Sequence, residues 1–327
     1  MLWPRMLKLR KGDILTERQL DDAVHDLVRH ALEIGMIPIA GIMSERRPRD
    51  GKHKVVGFGW NHLRQGIPGI HGETGAIMNM GRLPRGYANL TATSSLSPCP
   101  FCQCCLALHL GVKEIRILDA TNYKPDFSGY KRVGLSPSVS EHAAIVKTFR
   151  KWVRDPKNAL IWSRDIGIWD GKVPPVFDVK RKRARAIEIM SIARRVAAAG
   201  EAPIGAVIVD HAGEVIGAGS PRVVANNDPS AVAAMVAWRA CGAREHWKDK
   251  TLFLTCGPDH IAYSMFHIFN FGQLVVGNSR PFAGRIADVR KLGVPVHVLD
   301  PKREDATLSR WMRKTDASRV REYLGAR

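Results

Sequence analysis

A chain of 327 residues, with 45% hydrophobic and 25% charged residues, has material for two domains of ordinary size, each able to bury a core. No apolar run reaches the ~18 residues of a membrane helix, and the basic start, MLWPRMLKLRKGD, lacks the continuous apolar stretch of a signal peptide, so a cytoplasmic protein with no membrane partner is expected. The net charge of +19 leaves nucleic acid open as a partner, but the excess is spread along the chain and densest at Lys180 to Arg183 and around Arg310, Arg313, Lys314, Arg319 and Arg321, which suits a basic solvated surface.

The first part opens with apolar residues at helical spacing, Leu20, Ala23, Val24, Leu27, Val28 and Ala31, behind Thr16 as N-cap and Gln19 at the capping-box position. IPIAGIM and KVVGFGWN are two apolar runs joined by the charged turn SERRPRDGKH, the pattern of a hairpin. HGETGAIMNMG reads as a helix ending at Gly81, LTATSSL as a strand, PCPFCQCCLALHLG as a helix and KEIRILD as a strand. Strands alternating with helices predict an α/β layered domain.

GKVPPVF, with its Pro pair, predicts a linker over 171–178 between an active domain, 1–170, and a second domain, 179–327. There the series begins again. A helix carrying Ile187, Ile189, Met190, Ile192, Ala193 and Val196 leads into GEAPIGAVIVDHAGEVIGAG, which parallels GMIPIAGIM…VVGFGWN and pairs Pro203-Ile204 with Pro38-Ile39. DPSAVAAMVAWRACG then stands where GIHGETGAIMNMG stood, and TLFLTCGPDHIAYSMF where TATSSLSPCPFCQCCL stood. The element order and gaps predict a duplicated domain.

The chemistry lies in the first copy. Four of the six cysteines cluster at Cys99, Cys102, Cys104 and Cys105, which suits a metal site in a reducing compartment better than a disulfide framework. His71, Cys99 and Cys102 offer one imidazole and two thiolates, a donor set for Zn²⁺, and three protein ligands leave the fourth tetrahedral position open, as in catalytic sites. Cys99 and Cys102 share a face of one helical turn that starts at Pro98, where the helix N-terminus favours thiolates. Glu73, two residues beyond His71, stands close enough to take a proton from a water and pass it to a leaving group. Cys104 and Cys105 read as small buried residues, since a fourth protein ligand would close the site. His-x-Glu followed by Pro-Cys-x-x-Cys is the signature of zinc deaminases acting on bases.

On these residues, together with NMGRL, SLSPCPFC, the Asn61 of GFGWN and WSRDIG (Trp162 to Gly167), roughly residues 15 to 168 resemble the cytidine deaminase superfamily, and within it the fungal-type cytosine deaminases. The resemblance implies a three-layer α/β/α cytidine deaminase-like fold in two tandem copies, one Zn²⁺ in the N-terminal copy, and a free base as substrate, because the WSRDIG segment closes over a base in such enzymes. It also implies roles: Asn61 on the pyrimidine edge, the Gly72 backbone N–H toward the ring carbonyl, Asp165 accepting from the exocyclic amine, Trp162 walling off the base and Tyr123 capping the pocket. Trp60 takes a place usual for His.

In the second copy Val232 and Ala234 align with His71 and Glu73, and Asp259 and Ala262 with Cys99 and Cys102, with Pro258 retained. That copy is expected to bind no zinc and to serve as an inactive partner in an internal pseudodimer, with a homodimer also open. Hydrolytic deamination of cytosine to uracil and ammonia is the leading expectation. The alternatives are another free base, such as isocytosine or guanine, and editing of tRNA or single-stranded DNA held by the basic second copy.

Overall fold

The computed structural model describes residues 8–62, 69–82, 89–123, 130–131, 133–165, 172–242, 246–300 and 305–324, with backbone alone at 160, 163–165, 318, 319, 321 and 322. The chain divides into two compact units, Met1–Asp165 and Ile166–Arg327.

Unit 1 holds a six-stranded mixed sheet of β1 (Ile14–Leu15), β2 (Ala40–Arg46), β3 (His53–Trp60), β4 (Leu90–Ser94), β5 (Glu114–Ile117) and β6 (Ser136–Val139), in the order β1-β3-β2-β4-β5-β6. β2 runs antiparallel to β3 and β4, while β4, β5 and β6 are mutually parallel. The hairpin expected from the two apolar runs is β2–β3, with a bulge between Met43 and Ser44. α1 (Glu17–Glu33) starts at the capping box: Thr16 Oγ1 accepts from the Gln19 N–H and Gln19 Oε1 accepts from the Thr16 N–H. Its apolar stripe, Leu20, Val24, Leu27, Val28 and Ala31, packs on Ala40, Ile42, Val55, Phe58 and Trp60. These residues form one core; Trp60 belongs to it, edge-to-face with His30 at 4.7 Å.

The opposite face of β2 and β3 carries Gly41, Gly57 and Gly59, and there α2 (Gly72–Met80) lies almost backbone to backbone. A Cβ at Gly57 would collide with the Ala76 carbonyl, and one at Gly59 with Gly75 and Ala76. With helices on both faces of the sheet, the unit is a three-layer α/β/α sandwich. The CPFCQCCLALH stretch is not one α-helix. α3 (Pro100–Gln103) gives way to a π-helical turn, Cys104–His109. α4 (Ala143–Val153) and α5 (Pro156–Asp165) complete the unit.

Unit 2 repeats this plan with β7 (Ala206–Val209), β8 (Val215–Gly219), β9 (Thr251–Leu254), β10 (Gln273–Val276) and β11 (Val296–Val298), in the order β11-β10-β9-β7-β8. Pair for pair, the directions match those of β6-β5-β4-β2-β3, and a bulge recurs after Ile208. α6 (Arg183–Ala198) packs on one face through Ala186, Ile189, Met190 and Ala193, while α7 (Ala233–Ala240) covers Gly217 and Gly219 on the other. α8 (His260–Phe269), α9 (Ile286–Lys291), α10 (Ala306–Lys314) and α11 (Ala317–Leu324) follow. The stretch expected as a linker has no helix or strand over 172–178, yet it is not a free tether. Phe177 is fully buried against Phe253, and Val179 joins the same core. An apolar ring removed from water anchors that segment to unit 2. Among the described residues no helix is long and apolar enough to cross a membrane.

Candidate metal centre and its neighbours

His71 is the N-cap of α2 and Cys99 the N-cap of α3, so two helix starts meet beside the end of β4. The α2 start is pinned locally: Thr74 Oγ1 accepts from the His71 N–H at 2.8 Å and donates to the Gly69 carbonyl at 2.8 Å. Gly72 lets this first turn rest on β2, since a Cβ there would press on the Ala40 backbone. The imidazole is then aimed at the thiols. His71 Nδ1 stands 3.4 Å from Cys99 Sγ and 3.3 Å from Cys102 Sγ, and the two sulfurs are 3.6 Å apart. A tetrahedral zinc with ordinary Zn–N and Zn–S bonds sets its donors about 3.5–3.8 Å apart, so these three atoms fit the ion. Among the described residues they form the only group of three or more His, Cys, Asp or Glu donors this close together. Cys104 and Cys105 are buried free thiols outside that group.

The electrostatics suit a cation. Burial alone would push the Cys99 thiol up, but its hydrogen bonds to Cys102 and His71 and the imidazole charge bring it well below the usual thiol range. Cys102 goes the other way, raised by burial and by the Cys99 sulfur beside it. Two thiols in a dry site surrender one proton readily and hold the other until a metal takes its place.

Glu73, in the first turn of α2, is 4% exposed, and burial raises its carboxyl above the ordinary range. The charges of Cys99 and His71 act on it, and its Oε1 accepts a 2.5 Å hydrogen bond from the Ser94 hydroxyl at the end of β4. A raised carboxyl next to a metal-binding set is poised to take up and release a proton.

The other expected site residues are arranged as follows. Asn61 follows β3, fully buried, and its N–H donates to the Ile39 carbonyl at 3.0 Å. Tyr123 and Trp162 meet edge-to-face with ring centres 5.7 Å apart, and Trp162 also meets Phe149 at 5.3 Å. Both pack on a cluster of Ile37, Ile39, Leu96, Phe149 and Trp152, and Leu96 lies three residues ahead of Cys99. The side chain of Asp165, and residues 166 and 167 of the WSRDIG segment, lie outside the described residues. Trp60, in the place usual for His, faces α1, because alternation along β3 turns it to the opposite side from Gly59.

Three residues at the centre are assigned no role from the sequence: Ser94, Ser97 and Tyr130. Tyr130 is fully buried, its hydroxyl 2.9 Å from Ser97 Oγ, and burial together with the charges of Glu73, Cys99 and Cys102 raises its phenol beyond the usual range. It lies far from both motifs in sequence.

In unit 2 the sheet register fixes the counterparts. Ala206 pairs with Gly219 and Leu254 as Gly41 pairs with Gly59 and Ser94. Gly217 abuts the Ala237 carbonyl as Gly57 abuts that of Ala76, which puts Val232 and Ala234 at the places of His71 and Glu73. Both are buried. Asp259 takes the place of Cys99 as N-cap, its Oδ1 accepting from the Ala262 N–H at 2.7 Å. The Asp259 side chain thus caps a helix start that the Cys99 thiol leaves without a side-chain cap.

Residues 182–277, within unit 2, match the family described as the cytidine and deoxycytidylate deaminase zinc-binding region. No curated protein matches the chain. Among solved structures, a tRNA:A34 deaminase aligns at 24% identity over 35% of this chain and 98% of its own, with a TM-score of 0.31. Guanine deaminase from Bacillus subtilis aligns at 23% over 33% and 70% (TM-score 0.26), and dCMP deaminase from the cyanophage S-TIM5 at 16% over 38% and 100% (TM-score 0.28). None of these likenesses assigns a substrate. Each unit is an α/β/α sandwich, and the five strands of unit 2 keep the order of five strands in unit 1.

Proposed function

We propose that unit 1 is a zinc-dependent hydrolytic deaminase of a free nucleobase, converting cytosine to uracil and ammonia, and that unit 2 is an inactive copy serving as a permanent pseudo-subunit. The observation that carries this reading is a buried carboxylate, Glu73, in the same helical turn as one member of a His-Cys-Cys donor set. His71, Cys99 and Cys102 would hold the ion. Zinc supplies Lewis acidity that makes a water acidic near neutral pH. Glu73 accepts the proton of the attacking water and delivers it to the departing amine, so that the carbon–nitrogen bond breaks with ammonia as the neutral leaving group. Tyr123 and Trp162 offer aromatic walls for a flat ring, and Asn61 and the Gly72 N–H offer hydrogen-bonding groups for its edge; Asp165 is assigned the exocyclic amine.

The test is ammonia release by the purified chain from cytosine, isocytosine, guanine and adenine, beside cytidine and single-stranded oligonucleotides, with Glu73→Gln as control. Release from cytosine alone, lost in the variant, supports the whole reading. Release from another free base keeps the mechanism and moves the substrate. Release only from polymers favours the second reading, nucleic-acid editing, for which the net charge of +19 speaks.

A further inference from the structure

Ser94 closes β4 with no exposure to solvent, and its hydroxyl donates to Glu73 Oε1 over 2.5 Å. A carboxylate on a glutamate turns freely about its last torsion, which is broad and roughly two-fold. One short hydrogen bond from a buried hydroxyl to one of its oxygens selects one orientation. That matters for a group that has to meet a water on one side of a reaction and an amine on the other.

The second sheet serves as a control inside the same chain. Leu254 stands at the place of Ser94, and Ala234 at that of Glu73. Carboxylate and hydroxyl are lost together. The next residue along each strand behaves differently: Ser95 Oγ accepts from the Ala40 N–H at 2.9 Å, and Thr255 Oγ1 accepts from the Gly205 N–H at 3.0 Å. Both units thus keep a hydroxyl where it satisfies a backbone donor of the fold. At the position of Ser94 a hydroxyl is present only where there is a carboxylate for it to hold. Leu254 shows that the fold itself accepts an apolar side chain there.

We propose that Ser94 is the positioning residue of Glu73, fixing the carboxylate for proton transfer through its contact with Oε1; the inference rests on the deaminase reading of unit 1. Ser94→Ala and Ser94→Thr, made in the full chain and loaded with zinc, test it. Ser94→Ala is expected to keep one zinc per chain and a KM within about twofold, while kcat falls roughly 10- to 100-fold, the range of one lost hydrogen bond to a charged group. Ser94→Thr, which keeps the hydroxyl, is expected to recover kcat to within about threefold of the wild type. A readout independent of turnover is the carboxyl resonance of Glu73 in chain labelled with δ-¹³C glutamate, identified by its absence in Glu73→Gln. At one fixed pH it should move in Ser94→Ala and return in Ser94→Thr. An unmoved resonance, an unchanged kcat, or a Thr variant no better than Ala would overturn the proposal. If the wild-type chain turns over no base while the resonance still moves, the deaminase reading and the catalytic use of the contact both fall, and only the contact stands.

Discussion

Units 1 and 2 share a strand order, a bulge at the same place in the hairpin and glycines at the same two positions under a helix, yet differ at nearly every atom that could do chemistry. Where unit 1 has an imidazole, a carboxylate and two thiols, unit 2 has Val232, Ala234, Asp259 and Ala262. Three of these substitutes are small or apolar groups in a dry interior, and the fourth caps a helix. In unit 1 two helix starts point buried polar groups at a common centre, an arrangement that a metal would stabilise. At the same places unit 2 has buried apolar side chains and a helix cap. The family match over residues 182–277 therefore reports the scaffold of a zinc-binding region in the unit that lacks the His-Cys-Cys set. Scaffold and chemistry are separable on this fold.

The contrast is most exposed at Glu73. Glu73→Gln is expected to lower ammonia release by roughly 10²–10⁴-fold, with zinc retained, because the amide keeps the shape and loses the proton carrier. Residual turnover near the wild-type rate would remove the distinction between the units. Next come the donors. The wild-type chain should bind one zinc, and Cys102→Ala should bind none by elemental analysis; a second ion, or one left in Cys102→Ala, would place metal outside the His-Cys-Cys set. The shared scaffold should respond alike in both halves. Gly57→Ala and Gly217→Ala each push a methyl into a helix carbonyl, that of Ala76 or of Ala237. Each should cost about 2 kcal/mol in denaturant unfolding, and a cost in only one would break the structural equivalence.

A pH-dependent effect belongs to Asp259. Burial raises its carboxyl to about 6, against the backbone N–H groups that lower it. The folded state thus holds its proton to higher pH than the unfolded chain does. Stability falls as pH rises from about 4 to about 6, and the charged form costs the fold on the order of 3 kcal/mol above that window. Asp259→Asn keeps a good N-cap without the charge, so it should raise Tm at pH 7.5 and have little effect at pH 4. Equal shifts at both pH values would show that Asp259 is not desolvated.

Much of this was legible in one dimension because it depends on local spacing. The capping box at Thr16 and Gln19, the β2–β3 hairpin, the period of α1 and the recurrence of the series after Phe177 each follow from neighbours in sequence. The Ser136–Val139 strand was not legible: it is an exposed edge strand, Ser-Pro-Ser-Val, with no apolar alternation, and Pro137 is tolerated there because an edge leaves backbone donors unused. The π-helical turn at Cys104–His109 and the burial of Phe177 were missed for a similar reason, since tertiary packing overrode a helix pattern in one and a Pro-Pro signal in the other.

The amino-acid order alone dictates which donors exist and which lie on one turn: His71 with Glu73, and Cys99 with Cys102. Spacing along a helix is a local property, so it survives without knowledge of the fold. Tertiary structure decided the rest. It brought two helix starts 28 residues apart to within 3.4 Å, turned Trp60 into the α1 core and set Ser94 against Glu73 across 21 residues. Those contacts depend on sheet register and on how closely α2 can approach a glycine-lined face, quantities that no local pattern encodes.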